Sequence, residues 1–260
     1  MPDKPVVFAT PRSPQFSDCY FYHRMTLPDV GEVGEEWDLN ASVDAYLGHS
    51  NFAGKRVLEI GPASGFLTAH MERAGAEVVC VDLPVDYAWD FVPRLDIGEE
   101  YRARRRAKME RLHNGFWFTH SKLGLKSKVI YSRVEDLPDS IGKFDIAVVA
   151  AVLIHSRDPM GILSRCGQLT TGRIVVTEAV WKTLETVHPI MLLRPQPDNN
   201  IMDSWWDIPP RTIATMYQIM GFSNILYAEY PVFFWQNKHD VKTYTIVGER
   251  QQDQQAHSTE

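Results

Sequence analysis

The chain reads as an α/β protein built on a doubly wound, largely parallel sheet. Three observations predict this. Short apolar runs rich in β-branched residues recur at 56–60, 77–82, 128–132, 144–150, 173–177, 223–229 and 243–247. Runs that stay apolar along their whole length suit strands buried on both faces. Stretches with helical spacing lie at 65–74, 96–113, 159–169 and 210–220, and alternating β and α elements imply crossover units. The turn after the first run carries Gly61 and Gly65, where open α/β sheets bind ligands beyond the carboxyl ends of their strands.

Residues 1–53 read as an N-terminal arm and helix forming a lid. Pro2, Pro5, Pro11 and Pro14 keep the first part extended, and 40–50 places Val43, Tyr46 and Leu47 on one helical face. Residues 54–250 make one domain with insertions at 84–127 and 182–210, and the polar stretch 251–260 is expected to be a disordered tail. Long insertions in compact α/β domains are usually lids or binding loops. The first holds a basic helix around 101–111 and an aromatic cluster of Phe116, Trp117, Phe118 and His120; the second ends with Trp205 and Trp206. The basic run suits an anionic substrate or, offset by Glu99, Glu100 and Glu110, a solvated face.

Composition narrows the classes. With 260 residues, 44% hydrophobic and 23% charged, the chain is neither disordered nor a low-complexity scaffold. That length supports a core without a disulfide or metal staple. The net charge of −6 argues against nucleic acid as a general partner. Cys19, Cys80 and Cys166 form no CxxC pair, so no metal site is expected and reduced thiols fit a cytoplasmic protein. No secretory pattern opens the sequence, and no apolar run approaches the roughly 18 residues of a membrane span.

The sharpest signal is the loop Gly61, Pro62, Ala63, Ser64, Gly65 between a strand and a helix. Gly61 permits a sharp turn and close approach of a ligand. Asp82 follows roughly 20 residues later at the end of the next strand, where a carboxylate accepts hydrogen bonds from ribose hydroxyls. A dinucleotide loop needs glycine where Ala63 and Phe66 stand, and the GK[ST] ending of a phosphate-binding loop is absent. Both departures disfavour a nicotinamide oxidoreductase.

Glu59, Gly61 and Gly65, with Asp82 in register, resemble motif I of class I S-adenosylmethionine (SAM)-dependent methyltransferases. Phe144, Asp145 and the run to Ala150 resemble their fourth strand, and Glu135 to Pro138 resemble the segment that meets adenine. The resemblance covers about 54–248. His155 to Pro159, with Trp205 and Trp206, looks closer to the branch containing tRNA wobble-uridine carboxymethyltransferases and related small-molecule or sugar methyltransferases. It implies a Rossmann-like, three-layer α/β/α fold with seven strands, the last antiparallel. It also implies a SAM site of Glu59, Gly61, Pro62, Ala63 and Gly65, with Asp82 and Leu83 at the ribose and Ala150 on the rim. Many members carry an acid where this chain has Arg133, so the adenine contact falls to Glu135 or the Val134 backbone. The tRNA enzymes carry a tyrosine where Ile154 stands, which favours plain SAM.

His155, just past the fourth strand, is the candidate general base, since imidazole titrates near neutrality; a solvated or helix-capping histidine is the alternative. Glu178, at the end of the fifth strand, either orients the base or substrate or caps a strand. Tyr22, His23 and Trp37 in the arm, and Trp205 and Trp206 in the second insertion, are candidate substrate contacts or ordinary core aromatics. The function expected is methyl transfer to an O or N nucleophile of a small molecule or sugar. The alternatives are a tRNA-modifying (carboxy)methyltransferase and a non-catalytic SAM-binding module. A homodimer is left open.

Overall fold

A computed structural model of the protein describes residues 5–87, 90–94, 98–180 and 188–250. The expected tail at 251–260, the start of the helix expected at 96–113 and the first residues of the second insertion, 182–187, lie outside the described residues.

The elements in chain order are β1 (Met25–Leu27), β2 (Gly31–Val33), β3 (Trp37–Asp38), α1 (Val43–Tyr46), β4 (Arg56–Ile60), α2 (Phe66–Arg73), β5 (Glu77–Asp82), α3 (Glu99–Leu123) and β6 (Lys128–Tyr131). There follow β7 (Phe144–Ala150), α4 (Pro159–Leu169), β8 (Thr170–Ala179), β9 (Leu192–Leu193), β10 (Trp206–Asp207), α5 (Pro210–Ile219), β11 (Phe222–Phe234) and β12 (His239–Arg250). The main sheet has the order β3-β11-β12-β8-β7-β4-β5-β6. It contains the seven expected strands, and the arm adds the two-residue β3 against Phe233 and Phe234 at one edge. The last strand, β12, is antiparallel to both its neighbours, β8 and β11, as expected.

Both faces of the sheet are covered, which is why its strands read as continuous apolar runs. Along β4, Val57 packs into one cluster with Leu67 and Met71 of α2 and Phe116 and Trp117 of α3. Its neighbour Leu58 packs into the opposite cluster with Leu163 of α4 and Ile213 and Tyr217 of α5. The alternation of successive side chains across a strand produces the three layers.

The first insertion is more regular than expected. The aromatic cluster is not a loop: α3 continues through it to Leu123, and Gly124 closes the helix in the left-handed conformation at φ 64°. Met109, Leu112, His113, Phe116 and Trp117 are buried along it, the i, i+3, i+4, i+7, i+8 spacing of one helical face. A periodic stripe therefore lies where composition alone suggested a binding loop.

The arm crosses this helix very closely. Tyr20 N–H donates to the Arg111 carbonyl at 2.8 Å, and Asn114 Nδ2 donates to the Asp18 carbonyl at 3.0 Å. Gly115 makes the crossing possible, since a Cβ there would sit 2.2 Å from the Tyr20 carbonyl oxygen. Gly115→Ala is expected to force the arm off α3 and to cost about 1–3 kcal/mol, the usual range for overpacking. Urea unfolding checks this, with Gly98→Ala as control because nothing lies within 4 Å of that position. Equal midpoints for the two variants would show that the crossing tolerates a methyl group.

Candidate functional site

The loop after β4 is held by its backbone. Gly61 N–H donates to the Val81 carbonyl at 2.9 Å and Gly65 N–H to the Pro62 carbonyl at 2.8 Å. Gly61, Ala63 and Gly65 all adopt positive φ, at 69°, 49° and 86°. Ala63 is the costly member, since a residue with a Cβ loses roughly 1–2 kcal/mol in this region. At Gly61 a Cβ would also stand 2.8 Å from Val152 Cγ2. Ser64 is fully buried, and its Oγ accepts the Tyr22 N–H at 3.1 Å and the His23 N–H at 3.5 Å. The arm is thereby fastened to the loop.

These contacts enclose a cavity of about 380 Å³ at the carboxyl ends of the parallel strands. Ten of the residues named from sequence line it: Gly61 and Ala63 from the loop, Asp82, Leu83, Val134, Glu135 and Ala150 from the strand ends, Tyr22 and His23 from the arm, and His155. Pro62 and Gly65 shape the loop behind it.

Asp82 ends β5 with its carboxylate oriented from two sides. Oδ1 accepts the Leu83 N–H at 2.8 Å, and Oδ2 lies 3.4 Å from Nε2 of the buried His113. Glu135 is paired with Arg133 at 2.8 Å. His23 is buried and burial lowers its pKa to about 3, so its ring is neutral. Its Nδ1 has no hydrogen-bond partner.

His155 closes a short 3-10 turn, Leu153–His155, after β7. Its Nδ1 lies 2.6 Å from the Asp203 carbonyl oxygen. A carbonyl only accepts, so Nδ1 carries the hydrogen and Nε2 the lone pair of the neutral ring. Burial lowers the His155 pKa, against the raising effect of Asp203, and favours this neutral form.

Five residues named from sequence lie away from the cavity. Glu59 is buried beneath the loop and accepts hydrogen bonds from Thr68 Oγ1 at 2.6 Å and Cys80 Sγ at 3.4 Å, bracing β4 against α2 and β5. Glu178, expected on the same rim as His155, is buried under the turn, where its Oε1 accepts the Leu153 N–H at 2.9 Å. Trp37 packs on Phe234 with ring centroids 4.5 Å apart, at the sheet edge. Trp205 donates through Nε1 to the Asp90 carbonyl and through its backbone N–H to the Ile154 carbonyl at 2.6 Å. Trp206 Nε1 donates to the Ser156 carbonyl at 3.0 Å. Both tryptophans clamp the second insertion onto the turn of His155; their indoles are anchors, not cavity wall.

Burial pushes the pKa of Glu59 up to about 7 and that of Glu178 up to about 8. A carboxyl whose folded pKa exceeds its unfolded value gives stability that is complete below the unfolded pKa, near 4.3, and is lost as pH rises through the folded pKa. Glu178→Gln keeps an acceptor for Leu153 and cannot ionise. It is expected to lose less stability than the parent between about pH 5 and pH 8.5, by on the order of 1 kcal/mol or more. Thermal unfolding across that range checks it, and identical slopes for variant and parent would contradict it.

Sequence reasoning did not single out Arg105, Lys108, Asp90 and Asp203 as individual wall residues, nor His113 behind Asp82. Arg105 and Lys108 fall within the basic run but enter the wall singly, beside Asp203 at 3.1 Å and Glu36 at 2.7 Å. His113 had a readable signal: it is a polar residue on an otherwise apolar helical stripe.

No family model matches the chain. A ubiquinone biosynthesis O-methyltransferase of Nitrosococcus oceani is 28% identical over 144 residues, covering 54% of this chain and 49% of the relative. A tRNA U34 carboxymethyltransferase of Pseudomonas aeruginosa is 29% identical over 152 residues, covering 56% of this chain and 40% of the relative. The chain thus spans about half the length of these curated relatives, or less. Among solved structures, a magnesium protoporphyrin IX methyltransferase from Synechocystis PCC 6803 with bound SAH superposes with a TM-score of 0.52 at 14% identity over 82% of each chain. At that identity the likeness is one of fold, and the chain has a Rossmann-like α/β fold similar to that of this methyltransferase. Among the described residues, no helix is long and apolar enough to cross a membrane, and no cluster of three His, Cys, Asp or Glu side chains is placed to hold a metal ion.

Proposed function

We propose that the chain is a SAM-dependent methyltransferase acting on an O or N nucleophile of a small molecule or sugar, with His155 as general base. The observation that carries this reading is one cavity that joins the Gly61–Ala63 turn and Asp82 to the His155 ring. The residues present fit the cofactor. Gly61 adds no side chain to the turn, Asp82 offers an oriented carboxylate for a ribose, and Val134 and Glu135 line the same cavity as candidates for the adenine contact. The buried Nδ1 of His23, which has no hydrogen-bond partner, lies in the wall of the same cavity and could meet a polar group of the ligand.

When bound, SAM supplies a methyl group already activated on a sulfonium sulfur. The chain's own task is then alignment, exclusion of water and removal of one proton. Alignment of nucleophile and methyl can carry several kcal/mol of the barrier. Tyr22 and His23, fastened to the loop through Ser64, close the wall on the arm side. Nε2 of His155, the lone-pair nitrogen, would take the proton of the acceptor hydroxyl or amine.

Calorimetric titration with SAM, set beside absorbance titration with NADH, tests cofactor choice: heat with SAM and no response to NADH is expected. A mixture of small-molecule, sugar and RNA acceptors, read by S-adenosylhomocysteine formation, then tests activity. Binding of SAM with no product from any acceptor would favour a non-catalytic module, and product from RNA alone would move the acceptor to a tRNA-like class.

A further inference from the structure

The His155 ring is fixed by a stretch with little regular structure of its own. Between His188 and Pro209 the backbone forms only the two-residue strands β9 and β10, yet it delivers the Asp203 carbonyl to Nδ1 at 2.6 Å. Two anchors flank that carbonyl. The Met202 carbonyl accepts the Val92 N–H at 2.9 Å, and the Trp205 N–H donates to Ile154. Between them lies the 203–204 peptide, and a rotation of that peptide would carry the Asp203 carbonyl away from the ring. The Asp203 side chain is held from another direction: Arg105 of α3 reaches it at 3.1 Å, and both residues line the cavity.

We propose that Arg105 is a positioning residue for His155, acting through Asp203. Its guanidinium restrains the Asp203 residue between the two anchors, keeps the carbonyl on Nδ1–H and so leaves Nε2 as the basic nitrogen. The inference rests on the reading of His155 as the base. With side chains 22% and 30% exposed, the ion pair is partly buried. Its contribution is geometric. The carbonyl decides which ring nitrogen holds the hydrogen, and only one tautomer presents a lone pair at Nε2.

The test uses the full chain without ligand, labelled with ¹⁵N-histidine, with the His155 signals identified by their loss in His155→Gln. The parent is expected to show one tautomer, protonated at Nδ1. Arg105→Gln and Asp203→Asn are expected to show a mixture of tautomers, and Arg105→Lys to retain the parental pattern. With SAM and a working acceptor, Arg105→Gln should lower kcat about tenfold or more, part of the roughly 10²–10⁴ a general base supplies, with KM for SAM little changed. An unchanged tautomer in both Arg105→Gln and Asp203→Asn would overturn the proposal. Failure of the parent to bind SAM would instead sink the methyltransferase reading, while the tautomer measurement would still decide the role of Arg105.

Discussion

His155→Ala is expected to lower turnover roughly 10²–10⁴-fold while leaving SAM affinity close to that of the parent. The size follows from what the ring can do in its setting. Its Nδ1 is committed to the Asp203 carbonyl at 2.6 Å, and burial holds the imidazole below its ordinary pKa. At neutral pH the residue is therefore a neutral base with its lone pair on Nε2, and it need not shed a proton before accepting one. The lowered pKa also sets the sign of the pH dependence. Activity should rise as pH increases through the depressed His155 pKa, and the acid limb should disappear in the alanine variant. Steady-state assays of S-adenosylhomocysteine release, paired with calorimetry, separate the chemical step from binding. Parental turnover in the variant would remove His155 from the chemistry.

Asp82→Ala should weaken SAM binding by about 1–3 kcal/mol, the typical value of hydrogen bonds to a charged group. The carboxylate stands at the end of β5, with one oxygen held by the Leu83 N–H at 2.8 Å and the other 3.4 Å from His113 Nε2. It is thus oriented before any ligand arrives, and little binding energy is spent in ordering it. Truncation removes both acceptors from the ribose position. Asp82 lines the cavity rather than the sheet interior, so melting temperature should change far less than affinity. Equal calorimetric affinity for variant and parent would take Asp82 out of the site.

The residues that were legible in the sequence are those whose role is decided locally. Strands 56–60, 77–82 and 144–150 match the apolar runs because burial on two faces keeps most of their positions apolar. Gly61 and Asp82 were legible because a bare turn and a strand-end acid announce their chemistry within a few residues. Trp205 and Trp206 were not, because hydrogen bonds to the distant Asp90, Ile154 and Ser156 decide where they point. Glu178 looked like a rim residue from its strand-end position, but the sheet buries it beneath the following turn of β7. Arg105 and His113 reach the site only through the packing of α3, and the long connection before that helix hid which of its faces would meet the cavity.

The close crossing at Gly115 has a consequence for biogenesis. During translation the arm emerges from the ribosome early, yet the helix that receives it is completed roughly a hundred residues later. Docking of residues 18–20 depends on residues 111–115, so a nascent chain halted before that point lacks part of one wall of the cavity. Completion of that wall therefore belongs to the late stages of maturation, and a messenger truncated upstream of α3 would yield a product in which the cavity stays open on the arm side.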